Sequence, residues 1–143
     1  MTSFSNAVSI RDVQTYPLKS FQAEGTLVFM ERNAPVPFDV ARVFCVTSVN
    51  PGAMRGDHAH KQCKQALACI RGKVSVLCDD GRDKKRFELD SPNTLLYVPP
   101  MIWASETYAT EDTVLLVLAD MVYDPADYLR EYSEYLALRG LDR

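Results

Sequence analysis

Ala66-Leu67-Ala68-Cys69-Ile70, Arg71-Gly72, Lys73-Val74-Ser75-Val76-Leu77-Cys78, Asp79-Asp80-Gly81-Arg82-Asp83 and Arg86-Phe87-Glu88-Leu89 form the stretch on which the class of fold turns. Each apolar run has the length of a strand and is too short for a packed helix. Between them stand Arg71-Gly72 and an Asp-Gly loop, the residue types that reverse a chain tightly. The same grammar continues on both sides. Downstream, Asp90-Ser91-Pro92-Asn93 is a turn and Thr94 to Val98 a strand stopped by Pro99-Pro100. Thr113 to Ala119 is continuously apolar, as expected of a strand covered on both faces. Upstream, Arg42 to Val49 reads as a strand with Val43, Cys45, Thr47 and Val49 on one face and Arg42, Phe44, Val46 and Ser48 on the other. Both faces are mostly apolar, so both are expected to be covered. Asn50-Pro51-Gly52 is turn chemistry. Ile10 to Tyr16 and Thr26 to Glu31 are weaker strands around a polar break at Lys19 to Gly25, and the two prolines of Asn33-Ala34-Pro35-Val36-Pro37 make that segment a loop.

The C-terminus changes character. Asp124-Pro125 supplies an N-cap and a proline for a first helical turn, and Asp127 adds negative charge where a helix dipole favours it. Tyr128, Leu129, Tyr132, Tyr135 and Leu136 recur at three-to-four spacing, Asp127, Arg130, Glu131 and Glu134 make the wet face, and Gly140 ends the pattern. About nine strands followed by one helix predict an all-β sandwich or jelly roll with a C-terminal α-helix.

The 143 residues fit a single domain spanning 1–143. Hydrophobic residues are 47% and charged residues 24%, values of an ordinary globular core rather than a disordered chain or coiled coil. A net charge of −3 and no basic face argue against nucleic acid as a partner. No apolar run approaches the roughly 20 residues that span a bilayer, so no membrane is expected. Met1-Thr2-Ser3-Phe4-Ser5-Asn6 does not read as a signal peptide. Cys45, Cys63, Cys69 and Cys78 form no C-x-x-C pair, and Cys45, Cys69 and Cys78 sit in apolar runs. They are read as buried free thiols of a cytoplasmic protein.

The chain has only two histidines, His58 and His60, within Arg55-Gly56-Asp57-His58-Ala59-His60-Lys61. In an extended chain they point the same way, with Ala59 opposite. Two co-directed imidazoles bind a metal or share proton transfer near neutral pH.

Gly52, five residues, His58-Ala59-His60, four residues, Gln65, six residues and Gly72 resemble the first signature of the cupins, jelly-roll barrels with a site in the lumen. In metal-binding cupins the position of Gln65 is a glutamate ligand, and a histidine follows a turn that here looks like Pro99-Pro100-Met101-Ile102-Trp103-Ala104. Two of the four usual ligands are thus absent, and an amide oxygen is a poor substitute for a carboxylate. The run Arg55 to Lys61, with Arg42-Val43-Phe44 before it and Leu95 to Trp103 after it, is similar to the sugar 3,4-ketoisomerases, which act on a dTDP-linked 4-keto-6-deoxyhexose. The late Ala119-Asp120-Met121-Val122-Tyr123-Asp124 and Asp127-Tyr128-Leu129-Arg130 share that likeness, which runs from about Val8 to Leu138.

The resemblance implies a cupin barrel without metal or cofactor, a cytoplasmic homodimer exchanging N-terminal strands, and an aminotransferase as the next enzyme. It places His58 and His60 as catalytic acid/bases, His58 at carbon and His60 at the oxygens, or the reverse. Arg55, Arg42 and Lys61 are candidate partners of the substrate diphosphate. Trp103 is a candidate wall for the sugar or thymine, and Tyr97 a candidate donor to an enolate oxygen. Two departures, Glu24-Gly25 in the early turn and Ala104 after the tryptophan, bear on the face of carbon 4 that is reprotonated, so the product's configuration there stays open. A sugar-nucleotide epimerase, a metal-dependent dioxygenase and a non-catalytic sugar-nucleotide-binding module are the competing readings.

Overall fold

The architecture was obtained as a computed structural model that describes residues 8–141; the reading of Met1 to Asn6 lies outside them. A 3-10 turn at Ile10–Asp12 leads into β1 (Gln14–Pro17), β2 (Ser20–Ala23), β3 (Gly25–Val28), β4 (Glu31–Arg32), β5 (Pro35–Val36), β6 (Arg42–Val46), β7 (Met54–His60) and β8 (Gln65–Arg71). β9 (Val74–Asp79), β10 (Lys84–Leu89), β11 (Thr94–Val98), β12 (Trp103–Tyr108) and β13 (Val114–Ala119) complete the two main sheets except for one short piece. That piece, β14 (Tyr128–Leu129), follows a 3-10 turn at Pro125–Asp127 and precedes the helix α1 (Tyr132–Leu138).

Two five-stranded sheets face one another, in the orders β1-β11-β8-β13-β6 and β10-β9-β12-β7-β14. Every pairing in them is antiparallel, which is the jelly roll the sequence pattern implies. Leu67, Cys69, Val74, Val76, Leu96, Val98, Ile102, Leu115 and Val117 fill the space between the sheets at one end. Because side chains alternate along a strand, Ala66, Ala68, Leu95 and Leu118 face outward, where Leu18, Val36 and Phe38 of the N-terminal arm cover them. On the outside of the second sheet, Ala59, Met101 and Trp103 are covered by Leu129, Tyr135 and Leu136. The Tyr135 hydroxyl lies 3.0 Å from the Asp79 carbonyl and 2.9 Å from that of Met101, tying α1 to two loops of that sheet.

Several expectations change. The polar break at Lys19 to Gly25 contains β2, which pairs with β3 as a hairpin. Ile10 to Tyr16 divides into a 3-10 turn and β1. Only one face of Arg42 to Val49 is covered. The N-terminal arm covers the outer side of β8, β11 and β13 but not that of β6, so Arg42, Phe44 and Val46 turn inward while Val43 and Cys45 are exposed, Val43 to 57%. Cys45 is therefore a free exposed thiol, while Cys63, Cys69 and Cys78 are free and buried as expected. Trp103 begins a strand rather than lying in a loop. The helix starts at Tyr132, not after Asp124: the Asp124 cap and Pro125 serve a single 3-10 turn. Among the described residues no helix is long and apolar enough to cross a membrane.

Candidate active site

The row of side chains that β7 sends into the barrel is set by a bulge. On β12, Ala104 pairs with His58 and the next residue, Ser105, pairs with Gly56, so Asp57 is the extra residue. Gly56 and Asp57 both have positive φ, 79° and 60°, a conformation glycine adopts freely and aspartate tolerates better than most residues. A bulge re-aims the side chains on either side of it. Strict alternation would turn Arg55 outward; here it faces the lumen with His58, opposite Glu106 on β12. Asp57 points out of the barrel, where its carboxylate accepts a 3.0 Å hydrogen bond from the Trp103 indole.

His58, Arg55, Gly56, Gln65, Glu106, Tyr108, Tyr128 and Arg130 line a cavity of about 210 Å³ whose apolar wall is Phe44, Val46, Leu115 and Val117. The His58 and His60 rings meet edge-on with centroids 5.0 Å apart, and Tyr128 packs on both, at 5.0 Å and 4.4 Å. Burial, with the neighbouring His60 ring adding to it, pushes His58 down to about 4. Burial also lowers His60, against the pull of the Asp127 carboxylate, with Arg42 and Arg130 adding to the lowering. Both imidazoles are therefore neutral at pH 7, each with a nitrogen lone pair able to accept a proton.

Asp127 holds His60 in place. Its Oδ2 lies 3.0 Å from His60 Nδ1 and accepts from the Cys63 amide, while Oδ1 accepts from the Gln62 amide at 2.7 Å. The backbone secures this arrangement, because Lys61 N donates to Asp127 O and Tyr128 pairs with His60 in the β14–β7 ladder. A carboxylate can only accept, so Nδ1 carries the hydrogen and Nε2 is left as the basic nitrogen. Buried polar atoms in native proteins nearly always have partners. Among the described residues, the buried side-chain nitrogens without one are His58 Nδ1, His60 Nε2 and Arg42 Nε. Arg42 lies under the rings of Phe44 and Tyr123, 5.3 Å and 5.7 Å from their centroids.

The remaining expected residues are elsewhere. Trp103 lies on the outer face, against Tyr132 and Tyr135. Tyr97 is on the outer face of the first sheet beside Phe38, at the edge of an open cleft with Tyr16 and Pro99. Lys61 borders a separate surface recess with Gln62, Asp124 and Asp127. Sequence reasoning passes over Glu106, Tyr128 and Arg130 as site residues, and takes Asp127, buried at 6% exposure, as part of a wet helix face. The ligand atoms of His60, Cys63 and Asp127 lie within 4.8 Å of one another, yet they make a poor metal site. Nδ1 already serves the carboxylate, and burial, with Asp120 and Asp127 nearby, pushes the Cys63 thiol up to about 11, far from a thiolate.

Fold and site together define a cupin-type jelly roll with two neutral histidines in place of a complete set of metal ligands, His58 in the cavity wall and His60 packed behind it. Residues 9–140 match the family described as FdtA: WxcM-like, C-terminal. The chain belongs to that family. It is 38% identical over 128 residues to the TDP-4-oxo-6-deoxy-alpha-D-glucose-3,4-oxoisomerase of Aneurinibacillus thermoaerophilus, covering 87% of this chain and 92% of that protein. Among solved structures it is similar to QdtA, a sugar 3,4-ketoisomerase from Thermoanaerobacterium thermosaccharolyticum in complex with TDP, with a TM-score of 0.88, 34% identity, and 92% and 97% of the two chains covered. The TDP-quinovose 3,4-ketoisomerase WlaRB of Campylobacter jejuni matches with a TM-score of 0.85 and 32% identity over 90% of this chain and 99% of its own.

Proposed function

We propose that this chain is a sugar-nucleotide isomerase that moves the ketone of a TDP-linked 4-keto-6-deoxyhexose from carbon 4 to carbon 3. The observation that carries the reading is the trio of unpartnered buried nitrogens on His58, His60 and Arg42. A cluster of unsatisfied groups at one place in an otherwise paired interior is what a missing polar substrate leaves behind. The reaction removes a proton from carbon 3, passes through an enediol, returns a proton to carbon 4 and transfers protons between two oxygens. His58, in the cavity wall, is the acid/base at the carbons, and His60, with Nδ1 held by Asp127, serves an oxygen through Nε2. Arg55, Arg42 and Arg130 supply guanidinium charge for the diphosphate. Neither a redox cofactor nor a metal enters this scheme. The names of the relatives support the same reaction class and substrate, and favour it over epimerisation, oxygenation or binding alone.

The 3-keto product is chemically suited to an aminotransferase, so we infer a role in biosynthesis of a 3-amino-3,6-dideoxy sugar, and we take the enzyme to work in the cytoplasm as the family resemblance implies. We take the working unit to be a homodimer with exchanged N-terminal strands. Phe21 and Leu27 on the β2–β3 hairpin are 59% and 62% exposed, and the apolar outer side of β6 is uncovered; a second copy is a natural cover for them. Light scattering is expected to give twice the chain mass, and a monomer at micromolar concentration rejects the dimer.

The reaction is tested by incubating the protein with TDP-4-keto-6-deoxyglucose in D2O. Proton NMR is expected to show deuterium entering at carbon 3 of the remaining substrate and at carbon 4 of a 3-keto product, whose spectrum also settles the configuration at carbon 4. An unaltered substrate overturns the reading, and a 4-keto sugar inverted at one carbon replaces it with an epimerase.

A further inference from the structure

The geometry points to Glu106 as a third proton carrier of this reaction, the acid that protonates the sugar's O4 while His58 takes the proton from carbon 3. The inference rests on the ketoisomerase reading and assigns a residue to a step that the two histidines leave open.

Glu106 enters the cavity from β12, directly opposite Arg55 and in the same lining as His58. Its carboxylate occupies space made by a missing side chain, because a Cβ added to Gly56 would overlap Glu106 Oε2. Gly56 thus serves the bulge through its positive φ and serves Glu106 through its bareness. Along the inner side of β7 the order is His60, His58, then Arg55 with Glu106 beside it. His58 therefore stands between His60 and Glu106. A ketone and hydroxyl on adjacent carbons held over His58 have one oxygen on each side.

The titratable groups around Glu106 explain its protonation. Burial pushes the carboxyl up to about 7, while Arg55 opposes the rise from β7. Cys78 on β9 and Tyr108 on β12 face it as neutral groups, each held up mainly by burial and further by the Glu106 charge. His58, also neutral, supplies no cation to stabilise a carboxylate.

The protons balance without an added reagent. In the first half, the C3–H bond breaks and its proton goes to His58. The C3 electron pair forms C3=C4, the C4=O π pair moves to O4, and the Glu106 O–H breaks to protonate O4. In the second half, His60 Nε2 takes the proton from O3, the C3=O bond forms, and His58 gives its proton to carbon 4. The sugar is isomerised, Glu106 is left as carboxylate and His60 as imidazolium. Water entering on product release returns the proton from His60 to Glu106. Nothing is oxidised or reduced overall except the two sugar carbons, which exchange states.

The test follows wild type, Glu106→Gln and Glu106→Asp with TDP-4-keto-6-deoxyglucose in D2O, with TDP affinity and thermal unfolding measured for each. An amide can hydrogen-bond O4 but gives it no proton. Isomerisation by Glu106→Gln is expected to fall on the order of tenfold to 100-fold, with deuterium exchange at carbon 3 falling less, so that exchange events per turnover rise. Glu106→Asp restores part of the turnover. In wild type, kcat/KM is expected to fall as pH rises through about 7, because only the protonated carboxyl donates; the glutamine variant lacks that limb. Unchanged turnover in Glu106→Gln, or equal loss of exchange and turnover in a folded variant, overturns the inference. An inert wild-type enzyme overturns the ketoisomerase reading itself, and this assignment with it.

Discussion

Replacing His58 with asparagine is expected to remove deuterium exchange at carbon 3 and lower kcat about 10²–10⁴-fold while leaving TDP binding within a fewfold of wild type. Asparagine has nearly the shape of the imidazole's inner half and keeps a polar atom near the position of Nδ1, but it neither accepts nor returns a proton at neutral pH. On the proposed assignment the nucleotide contacts reside on other side chains, so affinity is expected to be spared. Burial holds His58 down at about 4, so it is almost wholly in the accepting form at pH 7. Its weakness as a base is offset by the apolar wall of Phe44, Val46, Leu115 and Val117, which lowers the dielectric around an enolate beside the new imidazolium. Stopped-flow turnover and NMR exchange measured together decide the matter. A variant that still exchanges carbon 3 at the wild-type rate removes His58 from the chemistry.

The second large effect is expected from Asp127→Asn, at a residue that stands behind His60 and outside the cavity lining. The carboxamide keeps its oxygen for the Gln62 amide and turns its NH2 toward His60, which leaves the Cys63 amide without its acceptor. Nδ1 must then accept, and the ring hydrogen moves to Nε2. His60 is rotated nowhere, yet its lone pair is taken from the reacting side. A wrong-tautomer substitution of this kind costs orders of magnitude in a serine protease; here kcat is expected to drop on the order of 10³-fold with KM little changed. The loss of one charged acceptor costs about 1–3 kcal/mol of stability, so the melting temperature drops as well. The readout that separates positioning from folding is nitrogen-15 NMR of the His60 ring, which reports the hydrogen on Nδ1 in wild type and on Nε2 in the variant. A wild-type tautomer in a slow variant refutes this account of Asp127.

Much of this site is readable from residues alone because its central device has a period of two. His58 and His60 are two apart, so any extended backbone sends both to one side. Arg55 is harder. It is three residues from His58, and plain alternation puts it outside; only the bulge at Gly56–Asp57 brings it in, and Gly-Asp before a histidine does not by itself announce a bulge. Trp103 misleads in the opposite direction. Its aromatic size invites a role against the sugar, but Ala104 pairs with His58, so Trp103 and Ser105 must face the other way. Glu106 escapes notice because Trp103 to Tyr108 carries Glu, Ser and Thr, which weaken its strand pattern, and because a carboxylate in a strand is ordinarily a solvated one.

The C-terminal segment shows a different limit. Asp124-Pro125 is a sound start signal, and the tyrosines and leucines after it do have helical spacing. The chain nevertheless leaves the 3-10 turn after Asp127 because Tyr128 and Leu129 find open ladder positions beside His60 and Ala59. Tertiary hydrogen bonding outweighs local preference over two residues, and those two residues convert Asp127, Tyr128 and Arg130 from a wet helix face into parts of the lumen. The sheets, by contrast, arise from apolar runs and turns that no distant contact had to overrule.

The bond from the Trp103 indole to Asp57 also links distant parts of the molecule. It pins the supernumerary residue of the bulge from outside the barrel, and Tyr132 and Tyr135 of α1 stand behind the indole as a backstop. The last helix is accordingly part of the timing of β7: it holds the bulge that brings Arg55 to the lumen alongside Gly56. Trimming the chain before Tyr132 would leave both sheets hydrogen-bonded while the arginine drifts out of phase with the histidines, so, with Arg55 in its proposed role, damage at the far end of the polypeptide is expected to register first as weaker TDP binding.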